Sequence, residues 1–574
     1  MKKKIAPAVP STSSPVGVAN EWVPQQAVLL ATIVIALFSP TLRSGFVYDS
    51  EMQILTDPFI HTASNWWNIL TLRVMSMDVL DFNRPVHLAS LMIDAALWGV
   101  NPVGFHLSSI LLHAANTVLL FLILRRLALE VGVPIAGFPA VAILWVSTLI
   151  FGVHPLVTEA VCEPSYREDL LATGFSLLAL WLATGRRPLE GDPRATRQKA
   201  DASGSAKRLN SVDLGVLRAC GCAAACFLAV GSKESGITAV VGLIGYWALF
   251  RKFDRSVFWV VALGLSVALT AWFVFLRFHL EVVGSMIFEG RPAYPGGSFG
   301  SSMLLLPRIL VLYLQNVVCP VALCADYGLP SVAHLNLVAC IAGLIVLAIA
   351  LGFAAWRSPL VALGCVFVVA ALVPVVNFFP IYRAAADRYM VLPLAGVALI
   401  FAGCLFWIHA RNRRIAMGCL AMAGVVLLAF LPMNVARQRV WANPLALWTD
   451  TFARVNISST AASGLGGALY RNGQMLEAEE ALRKAVNLTG GRHASALAML
   501  AVVVAENGRE EEAMRILAKA LEVDPRFENP EGRVKALVLT RFEADAINRL
   551  LARRAEIRDS ERIRLDLNGG TLLR

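Results

Sequence analysis

The chain has 574 residues, of which 57% are apolar and only 16% are charged. Soluble globular chains carry about 25% charged residues, and disordered chains are poor in apolar ones. The composition therefore excludes a disordered chain, argues against a soluble multidomain enzyme and indicates a membrane protein with several spans. The formal net charge of +11 would suggest nucleic-acid binding in a soluble protein. In a membrane protein, basic residues first report topology, and we expect no nucleic-acid partner.

Apolar runs of spanning length follow one another from about residue 26 onwards. A helix needs about 20 mostly apolar residues to cross a bilayer. The first run follows a basic and then Pro/Ser-rich segment, residues 1–25, and no small-residue cleavage site comes after it. We interpret it as an uncleaved span and not as a signal peptide. About eleven candidate spans are centred on 26–42, 105–124, 136–153, 170–184, 214–230, 237–250, 256–276, 337–356, 359–377, 389–408 and 415–432.

The basic residues of the loops predict the orientation. With the N-terminus in the cytoplasm, the cytoplasmic segments hold 19 Lys and Arg residues in 79 positions, and the outer segments before residue 432 hold 10 in 155. Cytoplasmic loops carry such an excess of Lys and Arg. We therefore predict a multi-pass protein of a cell inner membrane with everything after residue 432 outside the cytoplasm. The basic loop at 185–213 is interpreted as a topology anchor, with contact to anionic lipid as the alternative.

Two further apolar runs are not counted as spans. Residues 303–323 are interrupted by Pro307 and Arg308, among others, and counting them would turn the later basic loops outward. We predict an interfacial or re-entrant helix on the outer face. Residues 86–99 are short and contain Asp94, so we place them in the interface as well.

The ten cysteines indicate neither disulfides nor a metal site. Seven of them lie inside apolar runs, where cysteine behaves as a small apolar residue. The Cys220, Cys222 and Cys226 cluster has no histidine or second cysteine pair to complete a zinc pattern. We predict no metal site from these residues.

Two segments of the polar C-terminal part match at an offset of 35 residues. The matching pairs are Gly473 and Gly508, Glu477 and Glu512, Ala478 and Ala513, Leu482 and Leu517, and Ala485 and Ala520. The offset is close to the 34 residues of a tetratricopeptide helix pair. We predict tetratricopeptide-like repeats with flanking capping helices at 437–460 and 531–555, and an ordinary helical hairpin domain is the alternative. Such repeats would present a concave surface to a protein or peptide.

The acids and bases on the predicted outer face come from five separate segments. Ionisable residues near a membrane are costly and mark functional sites. A partly desolvated carboxylate suits general-base work, and Arg and Lys suit a phosphate leaving group. This combination favours attack of an acceptor hydroxyl on a phosphate-linked, membrane-embedded donor, although each residue alone could be a loop charge or a helix cap. The candidate site residues are Asp49, Glu51, Arg84, His87, His154, Glu159, Arg167, Asp169, Lys233, Glu234, Asp387 and Arg388.

The order of these motifs resembles that of the transmembrane and tetratricopeptide repeat-containing O-mannosyltransferases and their bacterial relatives. The resemblance covers about residues 26 to 525 and rests on the motifs at 48–49, 154–160, 167–172, 233–238 and 387–393. It implies a glycosyltransferase of the GT-C type, with about eleven transmembrane helices, that uses lipid-phosphate-linked sugars on the extracytoplasmic side.

The resemblance also implies roles for single residues. Asp49 corresponds to the catalytic acid of the first outer loop. The family usually has a second Asp directly after it, whereas this chain has Ser50 and then Glu51, which leaves both the second carboxylate and a divalent cation open. Arg167, Lys233 and Arg388 would meet the donor phosphate. The remaining residues of these motifs, Asp169, Glu234 and Asp387, would complete the substrate-binding set.

We therefore predict an all-α chain with a cytoplasmic tail (1–25), a GT-C-like transmembrane domain (26–436) and an extracytoplasmic tetratricopeptide-like domain (437–574). The expected function is transfer of a sugar, for example mannose, from a polyprenyl-phosphate donor to an acceptor hydroxyl, with protein Ser or Thr as the acceptor and membrane lipid as a further partner. A non-enzymatic membrane scaffold that recruits envelope proteins through the repeats is the alternative. A lipid-linked-sugar flippase is disfavoured, because no internal repeat relates the spans.

Overall fold

The computed structural model describes residues 22–77, 79–184, 205–285, 294–328, 330–378, 381, 383–525 and 541–569, and this part of the chain contains helices and loops but no strand. The all-α fold is as predicted. The predicted cytoplasmic tail up to residue 21 and the basic loop at 185–204 lie outside the described residues.

Sixteen helices form the membrane part of the described chain. They are α1 (Val23–Phe38), α2 (Asn65–Leu70), α3 (Pro85–Trp98), α4 (Pro102–Glu130), α5 (Phe138–Gly152), α6 (Thr158–Cys162), α7 (Arg167–Ala183), α8 (Ser205–Ser232), α9 (Thr238–Arg251), α10 (Val257–Ser285), α11 (Phe299–Val318), α12 (Pro330–Ala333), α13 (Leu337–Arg357), α14 (Pro359–Leu372), α15 (Val391–His409) and α16 (Arg413–Val440). Short 3-10 turns connect several of them, and a π-helical turn covers Glu51–Thr56.

Nine helices within the described residues are long and apolar enough to cross a membrane. Eight of them coincide with predicted spans, and the ninth is α11. The other three predicted spans are helical but shorter, because α7 has 17 residues and α9 and α14 have 14 each. The chain is a multi-pass membrane protein, as its apolar runs predict.

Both ends of α11 contact loops at one end of the helix bundle. Just before α11, the Tyr294 hydroxyl donates to the carbonyl of Phe378, which follows α14 (3.4 Å). At the other end, His154 Nε2 bonds the Val317 carbonyl (2.9 Å). A spanning helix would have its ends at opposite faces, so these contacts support the predicted interfacial position of α11.

Polar side chains occupy two opposite ends of the bundle. At one end, Arg126 of α4 donates to the carbonyl of Trp181 (2.8 Å), and Glu130 pairs with Arg251 (3.1 Å). At the other end lie the loops that follow α1, α5, α8 and α14, which carry the candidate residues. We call this second end the site end.

Within the described residues, six helices follow the membrane part: α17 (Pro444–Arg454), α18 (Ser459–Arg471), α19 (Met475–Leu488), α20 (Ala494–Glu506), α21 (Glu510–Val523) and α22 (Arg541–Gly569). The pairs α18–α19 and α20–α21 repeat at the predicted offset of 35 residues. The predicted small and apolar repeat positions, Ala478, Leu482, Ala485, Ala513, Leu517 and Ala520, are fully buried, so the predicted helix-pair repeat is confirmed. The predicted capping helix at 437–460 corresponds to α17, while residues 531–540 of the second lie outside the described part.

Each repeat turns between its two helices at a glycine. Gly473 and Gly508 have φ angles of 75° and 81°, and this left-handed conformation costs a residue with a Cβ about 1–2 kcal/mol. We therefore expect Gly508→Ala to destabilise the repeat by about that amount. Faster amide hydrogen exchange in α20 and α21 of the full chain would report the loss. Gly508→Asn is the matched control and should exchange more slowly than the alanine variant, because Asn tolerates this conformation.

The repeats dock directly onto the site end. Helix α16 runs through the predicted domain boundary at residue 436 and ends at Val440. Beyond it, the Trp448 ring packs against the Tyr48 ring (5.1 Å between centroids), and the Ser458 hydroxyl donates to Asp326 (2.9 Å). The C-terminal helices are therefore fixed next to the loop that carries Asp49.

Candidate functional site

Asp49 lies in the loop that follows α1, between a strained residue and a hydrogen-bond donor. The preceding Tyr48 has a φ of 53°, a conformation that costs free energy and often marks a functional site. The Tyr166 hydroxyl donates to Asp49 Oδ2 (2.9 Å). Burial raises the pKa of the Asp49 carboxyl, while the nearby Arg388 and Arg383 oppose the rise. A carboxylate with a raised pKa and partial exposure can accept a proton from a hydroxyl near neutral pH.

The segment 163–166 holds the Asp49 loop in place. The Ser50 amide donates to Glu163 Oε1 (2.7 Å), and the Ser165 hydroxyl donates to the same oxygen (2.6 Å). The Ser165 amide donates to the Ser50 hydroxyl (3.1 Å). Burial raises the pKa of the Glu163 carboxyl well above its usual range. Ser50, at the position where the resemblance implies a second Asp, therefore has a structural role in the loop.

Glu51 does not face Asp49. Its carboxylate pairs with Arg471 of α18 at 2.6 Å. The ion pair engages the Glu51 carboxylate with a cation of the repeats, so this carboxylate joins the membrane part to α18. The contact with Arg471 favours a docking role for Glu51. Asp49 therefore remains the candidate for the catalytic base in this loop.

Arg388 is buried and stacks on an aromatic ring beside Asp49. Its guanidinium lies 3.8 Å from the centroid of the Tyr166 ring, which is cation–π distance. Arg388 Nη1 pairs with Glu159 (2.5 Å), and the Arg388 amide donates to the other oxygen of Glu159 (3.0 Å). Tyr166 thus contacts both residues, Asp49 through its hydroxyl and Arg388 through its ring. The motifs that contain Glu159 and Arg388 meet through the ion pair between these two residues.

Lys233 forms the second buried cation of the site. It pairs with Asp169 and lies 3.5 Å from Glu168 Oε1. Its ammonium group also faces the Tyr389 ring at 5.0 Å, and Arg388 faces the same ring at 5.2 Å. The motifs at 167–172, 233–238 and 387–393 therefore meet around Tyr389.

Arg84 is more exposed than Lys233 and Arg388. It pairs with Asp81 (2.7 Å), Glu168 (3.3 Å) and Glu234 (3.4 Å), and 21% of its side chain is exposed. Glu234 also pairs with Arg277 (2.5 Å). Burial opposes ionisation of Glu234, but Arg277 and Arg84 hold its pKa well below the usual range. These charges extend the site from Asp49 towards the loop that precedes α3.

Arg167 has contacts of a different kind, although sequence places it in the same motif. It pairs with Asp94 of α3 (2.6 Å), and both side chains are almost fully buried. Its Nε donates to the Ser109 hydroxyl (3.1 Å), and Nη2 donates to the Phe105 carbonyl (2.8 Å). Protein groups thus engage all three guanidinium nitrogens. These contacts favour a structural role that ties α3, α4 and α7 together, and they do not favour the predicted phosphate contact.

The two histidines also have structural contacts. His154 Nδ1 accepts the Leu156 amide (3.1 Å), so its Nε2 carries the proton that is donated to the Val317 carbonyl. This histidine is neutral and caps the turn after α5. His87 is fully buried, and its Nε2 lies 3.3 Å from Gln53 Oε1. His87 thus contacts Gln53 of the π-helical turn Glu51–Thr56.

Asp387 connects the site to the last membrane helix. It accepts the Tyr327 hydroxyl at 2.5 Å and lies 3.6 Å from Arg437 of α16. Arg383, which stacks over the Tyr48 ring at 5.5 Å, pairs with Asp326 (2.5 Å). These partners come from residues that the sequence motifs did not include.

Several residues that contact the site were not selected from the sequence, although two of them could have been recognised from it. Arg277 interrupts an apolar run near its end, and Arg437 follows the last predicted span, so either charge could have been selected as a site candidate. Tyr166 and Glu163 carried no signal, because only the fold brings segment 163–166 against Asp49. Among the residues that the structure describes, no group of three or more His, Cys, Asp or Glu side chains is placed to hold a metal ion.

Comparison with known proteins supports the same family as the motifs. A protein O-mannosyl-transferase of Caenorhabditis elegans, F38B6.6, is 20% identical over 478 residues, which are 80% of this chain and 62% of that protein. Mouse protein O-mannosyl-transferase TMTC4 is 26% identical over 440 residues, 66% of this chain and 54% of the relative. Tmtc1 of Drosophila melanogaster is 31% identical over 155 residues, 26% of this chain and 17% of the relative. A tetratricopeptide repeat model matches residues 458–526.

The chain is similar to these protein O-mannosyl-transferases. It spans 62% of the length of the C. elegans relative and a smaller share of the other two. The predicted resemblance and the tetratricopeptide assignment of α18–α21 are confirmed.

Proposed function

We propose that the chain is a glycosyltransferase that moves a sugar, with mannose as the first candidate, from a polyprenyl-phosphate donor to a hydroxyl of a protein acceptor. The observation that carries the proposal is Asp49, a partly exposed carboxylate that Tyr166 orients beside the buried Arg388. The names of the relatives favour mannose. An envelope scaffold would not require a carboxylate on a strained loop among paired buried cations.

In the proposed reaction, one proton is transferred to Asp49 and one leaving group, polyprenyl phosphate, departs. The acceptor hydroxyl oxygen attacks the anomeric carbon of the donor sugar while its proton passes to Asp49. The bond between the anomeric carbon and the phosphate oxygen breaks, and polyprenyl phosphate leaves with the bonding electron pair. Attack from the face opposite to the leaving group inverts the configuration of the anomeric carbon. A divalent cation is not assigned a step.

Arg84, Lys233 and Arg388 are the cations that we assign to the departing phosphate. Each already pairs with a carboxylate, so the donor must exchange with or add to these contacts. Arg84 is the most accessible of the three, because 21% of its side chain is exposed. Asp169, Glu234, Glu159 and Asp387 orient the cations and the loops between them.

We also propose that the site end faces away from the cytoplasm and that the acceptor is a protein. The excess of basic residues in the alternate loops supports a site end that faces away from the cytoplasm, with the repeats on the same side. Trp448 of α17 and Arg471 of α18 contact the residues that flank Asp49. A protein Ser or Thr hydroxyl would therefore approach Asp49 along the junction between the membrane part and the repeats.

Transfer from a defined donor tests the proposal. The purified chain in lipid nanodiscs, supplied with polyprenyl-phosphate mannose and extracts of envelope proteins, should release polyprenyl phosphate and add one hexose to protein. Mass spectrometry of the acceptor would identify the sugar. Absence of both donor binding and transfer, in a folded sample, would favour the scaffold.

The proposal also predicts a shifted pH dependence for Tyr166→Phe. The Tyr166 hydroxyl bonds the charged form of Asp49 and lowers its pKa, so its removal raises that pKa further. The acid limb of the kcat/KM profile should move to higher pH, because Asp49 works only when ionised. Tyr389→Phe leaves this hydrogen bond in place and should keep the limb where it is. An unchanged profile in Tyr166→Phe would exclude Asp49 as the titrating base.

A further inference from the structure

The helix α22 does not extend the repeat stack as a terminal capping helix. The first helices of the two repeats, α18 and α20, lie in one layer, and the second helices, α19 and α21, lie in the other. A capping helix would continue the stack next to α21. Helix α22 instead packs on α20 and reaches α18, so it covers the layer of first helices.

Named contacts place α22 on this surface. The Phe542 ring lies 5.6 Å from the Tyr470 ring of α18. A Cβ at Gly467 of α18 would meet the carboxylate of Glu543, so the two residues lie in close contact. The surface formed by the first helices is called the first-helix face below.

The buried side of α22 is small and apolar. Ala544, Ala546, Ile547 and Leu550 are buried in the same core as α20, and they follow the spacing of one helix face. Helix α20 has ten of its thirteen residues buried, which a two-layer repeat with an open first-helix face would not achieve. The opposite side of α22 carries exposed residues, among them Asp545, Arg549 and Arg553.

The start of α22 reaches the active-site loop. Helix α22 contacts the π-helical turn Glu51–Thr56. Burial raises the pKa of the Glu51 carboxyl, and the nearby Glu543 adds to the rise. Helix α22 therefore contacts a turn that begins two residues after Asp49, while its buried side packs on the repeats.

We propose that the first-helix face is a binding surface for an amphipathic α-helix, that α22 is its resident occupant, and that a partner protein engages the repeats by replacing α22 with an amphipathic helix of its own. The partner helix should have small or aliphatic residues at positions equivalent to Ala544, Ile547 and Leu550. Replacement would also release the contact between α22 and the turn after Asp49. The surface is thus both an interaction site and a route by which a partner acts on the active site.

Peptide competition in the full chain tests the proposal without an activity assay. A specific protease site placed between residues 526 and 540 allows α22 to be cut from the rest while it remains bound. A fluorescent peptide of residues 541–569 should bind weakly before cleavage, because the tethered α22 competes at high effective concentration. Its Kd should fall at least tenfold after cleavage. A peptide with Ile547→Asp should lose binding at least tenfold, and one with Arg549→Ala, changed on the exposed side, should bind as the original does.

A disulfide cross-link between α18 and α22 provides a second, independent test of the proposal. The double variant Gly467→Cys with Glu543→Cys should form a disulfide in the full chain, and the locked chain should not bind the peptide after cleavage. Reduction should restore binding, and each single variant is a control. Equal peptide binding before and after cleavage, equal binding of the Ile547→Asp peptide, or undiminished binding to the locked chain would overturn the proposal. Failure of sugar transfer would leave these outcomes unaffected.

Discussion

Replacing Asp49 by Asn should reduce kcat for sugar transfer by about 10²–10⁴-fold, which is the usual contribution of a general base. Asn has the same shape and can still accept the Tyr166 hydroxyl, so folding and insertion should be unchanged. Donor affinity should change little, because the phosphate is assigned to the cations and not to Asp49. The measurement is single-turnover transfer from polyprenyl-phosphate mannose, together with donor binding by calorimetry.

Glu51→Gln is the matched control for Asp49→Asn. It removes a carboxylate from the same loop, but that carboxylate pairs with Arg471 and is not directed at Asp49. We expect kcat to fall far less, with looser docking of the repeats visible as faster hydrogen exchange in α18. Full activity of Asp49→Asn, or an equal loss in Glu51→Gln, would show that the base is assigned to the wrong residue.

Replacing Arg167 by Leu should destabilise the membrane part severely, by about 3–5 kcal/mol, because Asp94 is left as an unpaired buried charge. The pair is 2.6 Å apart with about 3–4% of each side chain exposed. Thermal melting in detergent, followed by loss of monodisperse protein, would measure the effect. The double variant Arg167→Leu with Asp94→Leu removes both charges and should recover most of the stability, since apolar side chains of similar size can replace a buried ion pair.

The same variants separate the structural role from the phosphate role that the resemblance implies for Arg167. If Arg167 is structural, Arg167→Leu should have a low melting temperature. The double variant should then recover both the melting temperature and the donor affinity. If Arg167 instead binds the donor phosphate, Arg167→Leu should have a normal melting temperature and a lost donor affinity, and adding Asp94→Leu should not restore that affinity. Arg84→Leu is the comparison, because 21% of its side chain is exposed and its partners Glu168 and Glu234 keep Lys233 and Arg277. It should lower donor affinity with a smaller change in melting temperature than Arg167→Leu.

The membrane class, the helix content and the repeat register could be predicted from sequence, because each depends on local quantities. A run of about 20 apolar residues must be helical in a bilayer, since its backbone polar groups have no other partner there. The 35-residue offset was visible because Gly473 and Gly508 occupy turns that require a positive φ. The meeting of the motifs at one end also followed, because alternate loops of spanning helices return to the same face.

The partner of each charge could not be predicted, because it depends on packing between distant segments. Arg167 and Asp169 are two residues apart, yet Arg167 pairs with Asp94 of α3 while Asp169 pairs with Lys233 after α8. On a helix, residues i and i+2 face different directions, so neighbouring positions of one motif enter different environments. Glu51 was a candidate for a second catalytic carboxylate, a role that the sequence left open. Its partner in the structure, Arg471, lies 420 residues further along the chain.

Sequence by itself thus determined that this is an all-helical membrane protein with tetratricopeptide repeats and a set of charged motifs on one side. Hydropathy and turn chemistry are properties of short segments, so they do not depend on the contacts that these segments make with the rest of the chain. Only the tertiary structure decided that Tyr166 orients Asp49, that Arg167 ties helices together and that α22 covers the first-helix face. These outcomes depend on contacts between residues up to several hundred positions apart, and no local pattern encodes which of the available partners lies within reach.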